Sequence, residues 1–162
     1  LGGFSILVAK GNPDGITSLK DLCGKTVAEE TEVAQIDLIK AVSKECPAGQ
    51  EITILELPSD SDAQNAVRAG KASADVLDAA VAGYSAATAP DLFEVVVDPN
   101  EPNGVEPVYT GIGILKEDSG LTAALQAALQ ELIDNGTYAE IMTKYGLNQY
   151  AVTEAIINGT KA

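Results

Sequence analysis

The first 97 residues alternate between short apolar runs and amphipathic segments. The apolar runs are bounded by turn residues and predict β-strands at residues 4–9, 25–28, 52–57, 74–77 and 92–97. Apolar positions spaced three or four apart predict the intervening helices over residues 18–22, 33–45, 61–70 and 78–87. This alternation predicts an α/β fold in which a mostly parallel sheet is flanked by helices.

The pattern changes after a polar stretch rich in Pro and Gly at residues 98–104, which we expect to be a surface loop. One more strand is predicted over residues 108–115. Helices follow, with apolar stripes within residues 121–132, 138–145 and 152–156. These stripes need a surface to cover, either the preceding part of the chain or a segment outside it. The chain opens on Leu1, not Met, and runs at once into a strand, so we expect a longer protein.

Composition excludes several classes of chemistry. The 162 residues include 24 acidic and 10 basic side chains, for a net charge of −14, so the phosphate backbone of nucleic acid would be repelled. The absence of His excludes a Ser–His–Asp triad, a Cys–His dyad and a His-ligated metal within this chain. We therefore expect no metal and no cofactor. The negative charge predicts either a well-solvated surface or attraction of a cationic ligand.

The two cysteines, Cys23 and Cys46, are not spaced as a CxxC motif. Two thiolates alone cannot form a Cys-rich zinc site. Their even number permits one disulfide, and two buried free thiols are the alternative. A disulfide would place the protein outside the cytoplasm.

Acidic residues stand at two junctions between a predicted strand and a predicted helix. Asp78 lies at one, where it can cap the helix or pair with a ligand ammonium. Glu29, Glu30 and Glu32 lie at the other, where they supply favourable charge to a helix N-terminus or contact a cationic group.

Five segments, in order along nearly the whole chain, resemble the extracytoplasmic solute-binding proteins of ABC importers, in particular the polar amino-acid-binding family. They are ITSLKDLCGKTV at residues 16–27, DAQNAVRAGK at 62–71, DAAVAGY at 78–84, GIGILK at 111–116 and LIDNGTYAEI at 132–141. The DLCGK form, the second Cys after the next helix and the Asn-Gly near the end resemble the actinobacterial branch.

This resemblance implies a two-lobed clamp of the type II periplasmic-binding fold that closes on a solute. Residues 4–106 match its second lobe, and residues 107–162 match the return strand and C-terminal helices of its first lobe, whose N-terminal half has no counterpart here. The resemblance also favours a disulfide between Cys23 and Cys46.

Site residues carry over position by position. Asp78 falls on the family's acceptor for the ligand α-ammonium, and residues 30–35 fall on the turn that holds the ligand carboxylate. The Gly-Thr of that turn is absent here, and the polar groups are Glu30, Thr31, Glu32 and Gln35. Either the ligand is not a standard α-amino acid, or the turn binds it through backbone groups alone.

The resemblance implies a binding protein and not an enzyme. We expect it to capture a small polar solute, amino-acid-like or cationic, and to deliver it to an ABC permease. We also expect a monomer, anchored as a lipoprotein outside the cell membrane. The alternatives are a ligand-sensing domain of a receptor or regulator and, less favoured, a dehydratase on the same scaffold.

Overall fold

The computed structural model describes residues 2–159. Leu1 and residues 160–162 of the predicted C-terminal region lie outside that range. The strands are β1 (Gly2–Ala9), β2 (Thr26–Glu30), β3 (Thr53–Leu57), β4 (Ala74–Asp78), β5 (Phe93–Val96) and β6 (Val105–Val108). The α-helices are α1 (Gln35–Ser43), α2 (Asp60–Arg68), α3 (Ala79–Thr88), α4 (Ser119–Asp134) and α5 (Thr137–Lys144), and short 3-10 turns cover Leu19–Leu22 and Asn148–Tyr150.

The strands form one sheet in the order β3-β2-β4-β1-β5, and β6 also pairs with β1. β2 is parallel to β3 and β4, whereas β1 is antiparallel to β4, β5 and β6. The predicted α/β class is confirmed, but the sheet is mixed, with β1 running against the other five strands. Helical crossovers return the chain in one direction from β2 to β5. Only a loop and a 3-10 turn join β1 to β2, so nothing imposes that direction on β1.

Each face of the sheet is covered by its own apolar cluster. One face packs Val8, Val27 and Val76 against Ile39 of α1. The other face packs Leu7, Ala28 and Leu77 beneath α2 and α3, whose contacting side chains are mostly alanines, including Ala63, Ala66 and Ala82. Because alanine side chains are small, these helices lie close to the sheet. Their N-termini come near the end of the sheet where β3 and β4 finish.

Three of the differences between the predicted and the observed elements have a physical reason in the structure. α2 begins at Asp60 and not at Ser61, because the Ser59 hydroxyl caps it by accepting a hydrogen bond from the Asp62 N–H at 3.2 Å. The predicted strand over residues 108–115 is wrong: β6 ends at Val108. A strand needs a neighbouring backbone, and β6 finds one only beside Gly2 and Phe4 of β1.

The predicted helix over residues 152–156 is also wrong. Side chains of α4 hold the backbone of Ala155 instead. The side-chain amide of Gln126 donates to the Ala155 carbonyl at 2.8 Å, and the Ala155 N–H donates to the side-chain oxygen Oε1 of Gln130 at 2.9 Å. These bonds take the backbone groups that a helix would have used.

α4 and α5 contain no buried residue in the described part of the chain, although both carry apolar stripes. Leu121 is 51% exposed and Ile141 is 48% exposed. No helix within residues 2–159 combines the length and apolar character needed to cross a membrane.

Cys23 and Cys46 form a disulfide, with their Cα atoms 5.6 Å apart. The pairing implied by the resemblance is confirmed. Cys23 precedes β2 and Cys46 follows α1, so the bond joins the two ends of this strand–helix unit at the amino end of β2, away from the strand's carboxyl end.

Candidate functional site

Three carboxylates converge where β2 and β4 end and α2 begins. Glu30 is the last residue of β2, Asp78 is the last residue of β4, and Asp60 is the first residue of α2. Glu30 pairs with Leu57 at the end of β3, shortly before Asp60 in the chain, and the charges of Glu30 and Asp78 both act on Asp60. We call Glu30, Asp60 and Asp78 the acidic edge. Carboxyl ends of parallel strands are where ligands bind in open α/β sheets.

Asp78 stands at the N-cap position of α3, but its side chain makes no capping hydrogen bond. It is exposed, and its backbone pairs with Phe4 of β1. The sequence left open two roles for the Asp78 side chain, helix capping and ligand contact. The geometry excludes helix capping. The carboxylate is free to accept hydrogen bonds from a bound molecule.

Asp60 was not among the residues predicted from the sequence. It is partly buried at the start of α2, and burial, followed by the charges of Glu30 and Asp78, raises its pKa. The predicted helix start at Ser61 left Asp60 in a loop. Its position in the short junction between the predicted strand over residues 52–57 and the helix that follows was the signal that could have identified it, because Asp78 was found at such a junction.

The turn between β2 and α1 contains the other predicted site residues. The Thr31 N–H donates to the Leu57 carbonyl at 2.9 Å, which ties the turn to the end of β3. Glu32 is exposed and has a φ of 63°, a left-handed conformation that favours glycine. The resemblance places the family's glycine at this position, and this chain adopts the left-handed backbone with a Glu there.

Gln35 begins α1, and Ala34 occupies its N-cap position without a side-chain cap. Among residues 2–159, no partner accepts a hydrogen bond from the backbone N–H of Glu32, Val33 or Ala34. These donors, at the positive end of the helix dipole, suit an anionic group. The turn therefore offers an anion site beside the acidic edge.

Two further acids lie buried just behind the acidic edge. Glu29 accepts a hydrogen bond from the Val76 N–H at 2.9 Å, and burial, with the charges of Asp75 and Asp60, raises its pKa to about 9. Burial and the charge of Asp60 raise the pKa of Asp75 to about 8. Both are therefore mainly neutral at pH 7. Asp75 was not predicted, although an acid inside an otherwise apolar strand was a visible signal.

In the part of the chain that the structure describes, no basic side chain neutralises the acidic edge. Within residues 2–159, ion pairs join Lys10 to Glu94 and Lys25 to Asp14, and none involves Glu30, Asp60 or Asp78. The same described residues contain no group of three or more His, Cys, Asp or Glu side chains that could hold a metal ion. Because its carboxylates have no basic partner among these residues, the acidic edge can attract a cation.

Comparison with known proteins gives one similar curated sequence. The arginine-binding protein ArgT of Corynebacterium glutamicum is 35% identical over 145 residues, which cover 86% of this chain and 45% of that protein. The chain thus spans about half the length of this relative. No protein-family model matches the present chain.

Solved structures give the same fold. An ancestral cationic amino acid solute-binding protein has a TM-score of 0.68 at 26% identity, covering 89% of this chain and 58% of that one. An ancestral arginine-binding protein bound to arginine has a TM-score of 0.56 at 28% identity, covering 88% of this chain and 59% of that one. The resemblance to polar amino-acid-binding proteins of the type II fold, predicted from the motifs, is confirmed.

Proposed function

We propose that this chain, which resembles amino-acid-binding proteins in sequence and fold, forms the second lobe and part of the first lobe of an ABC importer's solute-binding protein. Its solute is a small amino acid or amino-acid-like molecule of net positive charge. The observation that carries the proposal is the acidic edge, three carboxylates at the carboxyl ends of β2 and β4 that have no basic partner among residues 2–159.

The two ends of an amino acid find complementary groups here. Asp78 accepts the α-ammonium, since its carboxylate is exposed and makes no capping bond. The unpaired N–H groups of Glu32, Val33 and Ala34 hold the α-carboxylate, so the turn binds through its backbone and needs no Gly-Thr pair. Thr31 and Gln35 supply further polar groups. Glu30 and Asp60 face a distal cation such as a guanidinium.

Residues 4–106 form the second lobe, and residues 107–162 belong to the first lobe. The exposed apolar faces of α4 and α5 support this division, since Leu132 is 40% exposed and Ile141 is 48% exposed. Such faces are covered in a folded domain by further structure, here the remaining part of the first lobe. Residues 109–115 form no strand in this chain, where they lack a neighbouring backbone; in the complete protein, the rest of the first lobe supplies that backbone and this segment becomes the return strand.

The protein acts by population shift: contacts made only in the closed clamp stabilise it, and the permease recognises the closed form. It works outside the cytoplasm, where the Cys23–Cys46 bond persists, as a lipoprotein at the membrane surface. It is a monomer and neither catalyses a reaction nor needs a cofactor. The arginine-binding and cationic amino acid-binding relatives support the choice of solute.

The test is isothermal calorimetry of the complete protein with arginine, comparing wild type with Asp78→Ala. Removing the carboxylate takes away a charge-assisted hydrogen bond, which contributes about 1.5–3 kcal/mol, so affinity should fall by roughly 10- to 100-fold. Asp91→Ala is the matched control. Asp91 is exposed in the turn before β5, at the opposite edge of the sheet, and its loss should leave affinity unchanged. Equal affinity of Asp78→Ala and wild type would remove Asp78 from the site.

A further inference from the structure

Asp75 lies wholly inside the protein, and neither of its carboxyl oxygens has a hydrogen-bond partner among residues 2–159. It pairs with Ala28 of β2 and Leu7 of β1, both members of the apolar cluster beneath α2. Directly paired residues point to the same face of a sheet, so the Asp75 carboxyl lies on the face that α2 covers. A buried carboxyl without a partner is costly, so packing alone does not explain an Asp here.

Glu29 occupies the place where β2 and β4 stop pairing. The last paired residues are Ala28 and Asp75. The next N–H along β4, that of Val76, is satisfied by the Glu29 side chain instead of by the β2 backbone. Glu29 is 1% exposed, yet it directly precedes Glu30 of the acidic edge. Glu29 and Asp75 therefore lie on the same two strands as the edge residues Glu30 and Asp78, shortly before them in the chain.

Asp60 links the buried acids to the acidic edge. It is the first residue of α2, the helix that covers the face of the sheet on which Asp75 lies. Its charge acts on Glu29 and Asp75, and the charges of Glu30 and Asp78 act on it. Within the described residues, β1 and α3 carry no charged side chain. The other charged groups on the packed elements are Glu56 on β3, Asp62 and Arg68 on α2, and Asp37 and Lys40 on α1, all of them exposed.

We propose that Asp60 couples the acidic edge to the buried acids Glu29 and Asp75, so that a solute of net positive charge binds with release of a proton and a neutral amino acid does not. The proposal rests on the proposed function. A cation beside Asp60 stabilises the ionised form of the acids behind it. The O–H bond of one carboxylic acid then breaks, and its proton passes to the solvent. By linkage, the affinity for a cation rises with pH.

The coupling can be tested first without any solute. Carbon-13 NMR of the side-chain carboxyls across pH 5–10 measures the titration of Asp75 and Glu29 directly. Asp60→Asn removes a nearby negative charge and should lower the midpoint of Asp75 by on the order of one pH unit. Asp91→Asn removes a remote charge and should leave the titration midpoints of Asp75 and Glu29 unchanged. Equal midpoints in Asp60→Asn and wild type would overturn the role of Asp60.

The second test is calorimetry of the complete protein at pH 8 in buffers of different ionisation enthalpy, with arginine and with glutamine. Arginine should release on the order of half a proton, since the pKa of Asp75 is about 8. Glutamine should release none. Release should shrink in Asp60→Asn and disappear when Asp75→Asn is combined with Glu29→Gln.

The outcomes separate the two proposals. Arginine binding without proton release, or with equal release in the combined variant, overturns the coupling and leaves the proposed function standing. Failure of arginine to bind at any pH overturns both. Equal proton release by glutamine and arginine overturns the dependence on net charge.

Discussion

The buried acids make the stability of this chain depend on pH, and Asp75→Asn is the perturbation that isolates their effect. Burial, with the charge of Asp60, raises the pKa of Asp75 from 3.8 to about 8 on folding. Between those values the folded chain holds a proton that the unfolded chain has released. Stability from this group is therefore greatest below about pH 4 and is lost as pH rises towards 8.

The magnitude follows from the same linkage. Each pH unit within that interval costs about 1.4 kcal/mol per group, so Asp75 alone should lower the free energy of unfolding by roughly 4 kcal/mol between pH 5 and pH 8. Glu29, whose pKa is raised to about 9 mainly by burial, acts in the same direction up to a higher pH. The combined loss of stability from Asp75 and Glu29 is a large share of the roughly 5–15 kcal/mol that stabilises a typical domain.

The assay is urea denaturation followed by circular dichroism at pH 5, 6, 7 and 8. Asp75→Asn removes the titrating group, so its plot of unfolding free energy against pH should be shallower by about 1.4 kcal/mol per unit. The comparison uses slopes, because the buried amide changes stability by a constant amount. Asp91→Asn, which alters an exposed carboxylate, should keep the wild-type slope. A wild-type slope in Asp75→Asn would refute the reasoning.

Three further changes test other parts of the fold. Replacing Cys23 and Cys46 together by Ala should lower the free energy of unfolding by about 3 kcal/mol, measured with urea, because the cross-link no longer restricts the unfolded chain; no change would contradict this. Glu32→Gly should raise the free energy of unfolding by up to about 1 kcal/mol, because Glu32 has a φ of 63°, which glycine adopts more readily. Glu32→Ala should not raise the free energy of unfolding in this way. Gly3→Ala places a methyl group against the Val105 carbonyl, so hydrogen exchange of the β6 amides should accelerate, and slow exchange would show that β6 accommodates the methyl group.

The strands and helices between residues 25 and 97 could be predicted from the sequence because their signals are local. Apolar runs identified β2 to β5, and helical spacing identified α1 to α3. The direction of β1 could not be predicted, since antiparallel pairing with β4 and β5 depends on residues about seventy to ninety positions away. The run at residues 108–115 has strand composition, but composition does not supply a partner strand.

The site was predicted only in part, for a related reason. Asp78 and Glu30 stand at strand ends, and the rule on carboxyl ends of parallel strands finds such positions. Asp60 was missed because the helix was predicted to start at Ser61, which left Asp60 in a loop. The capping residue is Ser59, two positions earlier, so Asp60 is the first residue of α2. Asp75 was missed because its burial beneath α2 depends on the packing of the sheet and helix, which periodicity does not describe.

The location of the negative charge matters more than its total. Most of the 24 acidic side chains are solvated, and water and salt screen their effect on a ligand within about 8–10 Å. Asp60 differs because it is partly buried, and Glu29 and Asp75 differ because they are almost fully buried. Their interactions pass through protein, where charges act more strongly than in water. A cation held at the acidic edge therefore changes the ionisation of the buried acids, whereas the same cation at an exposed surface carboxylate does not.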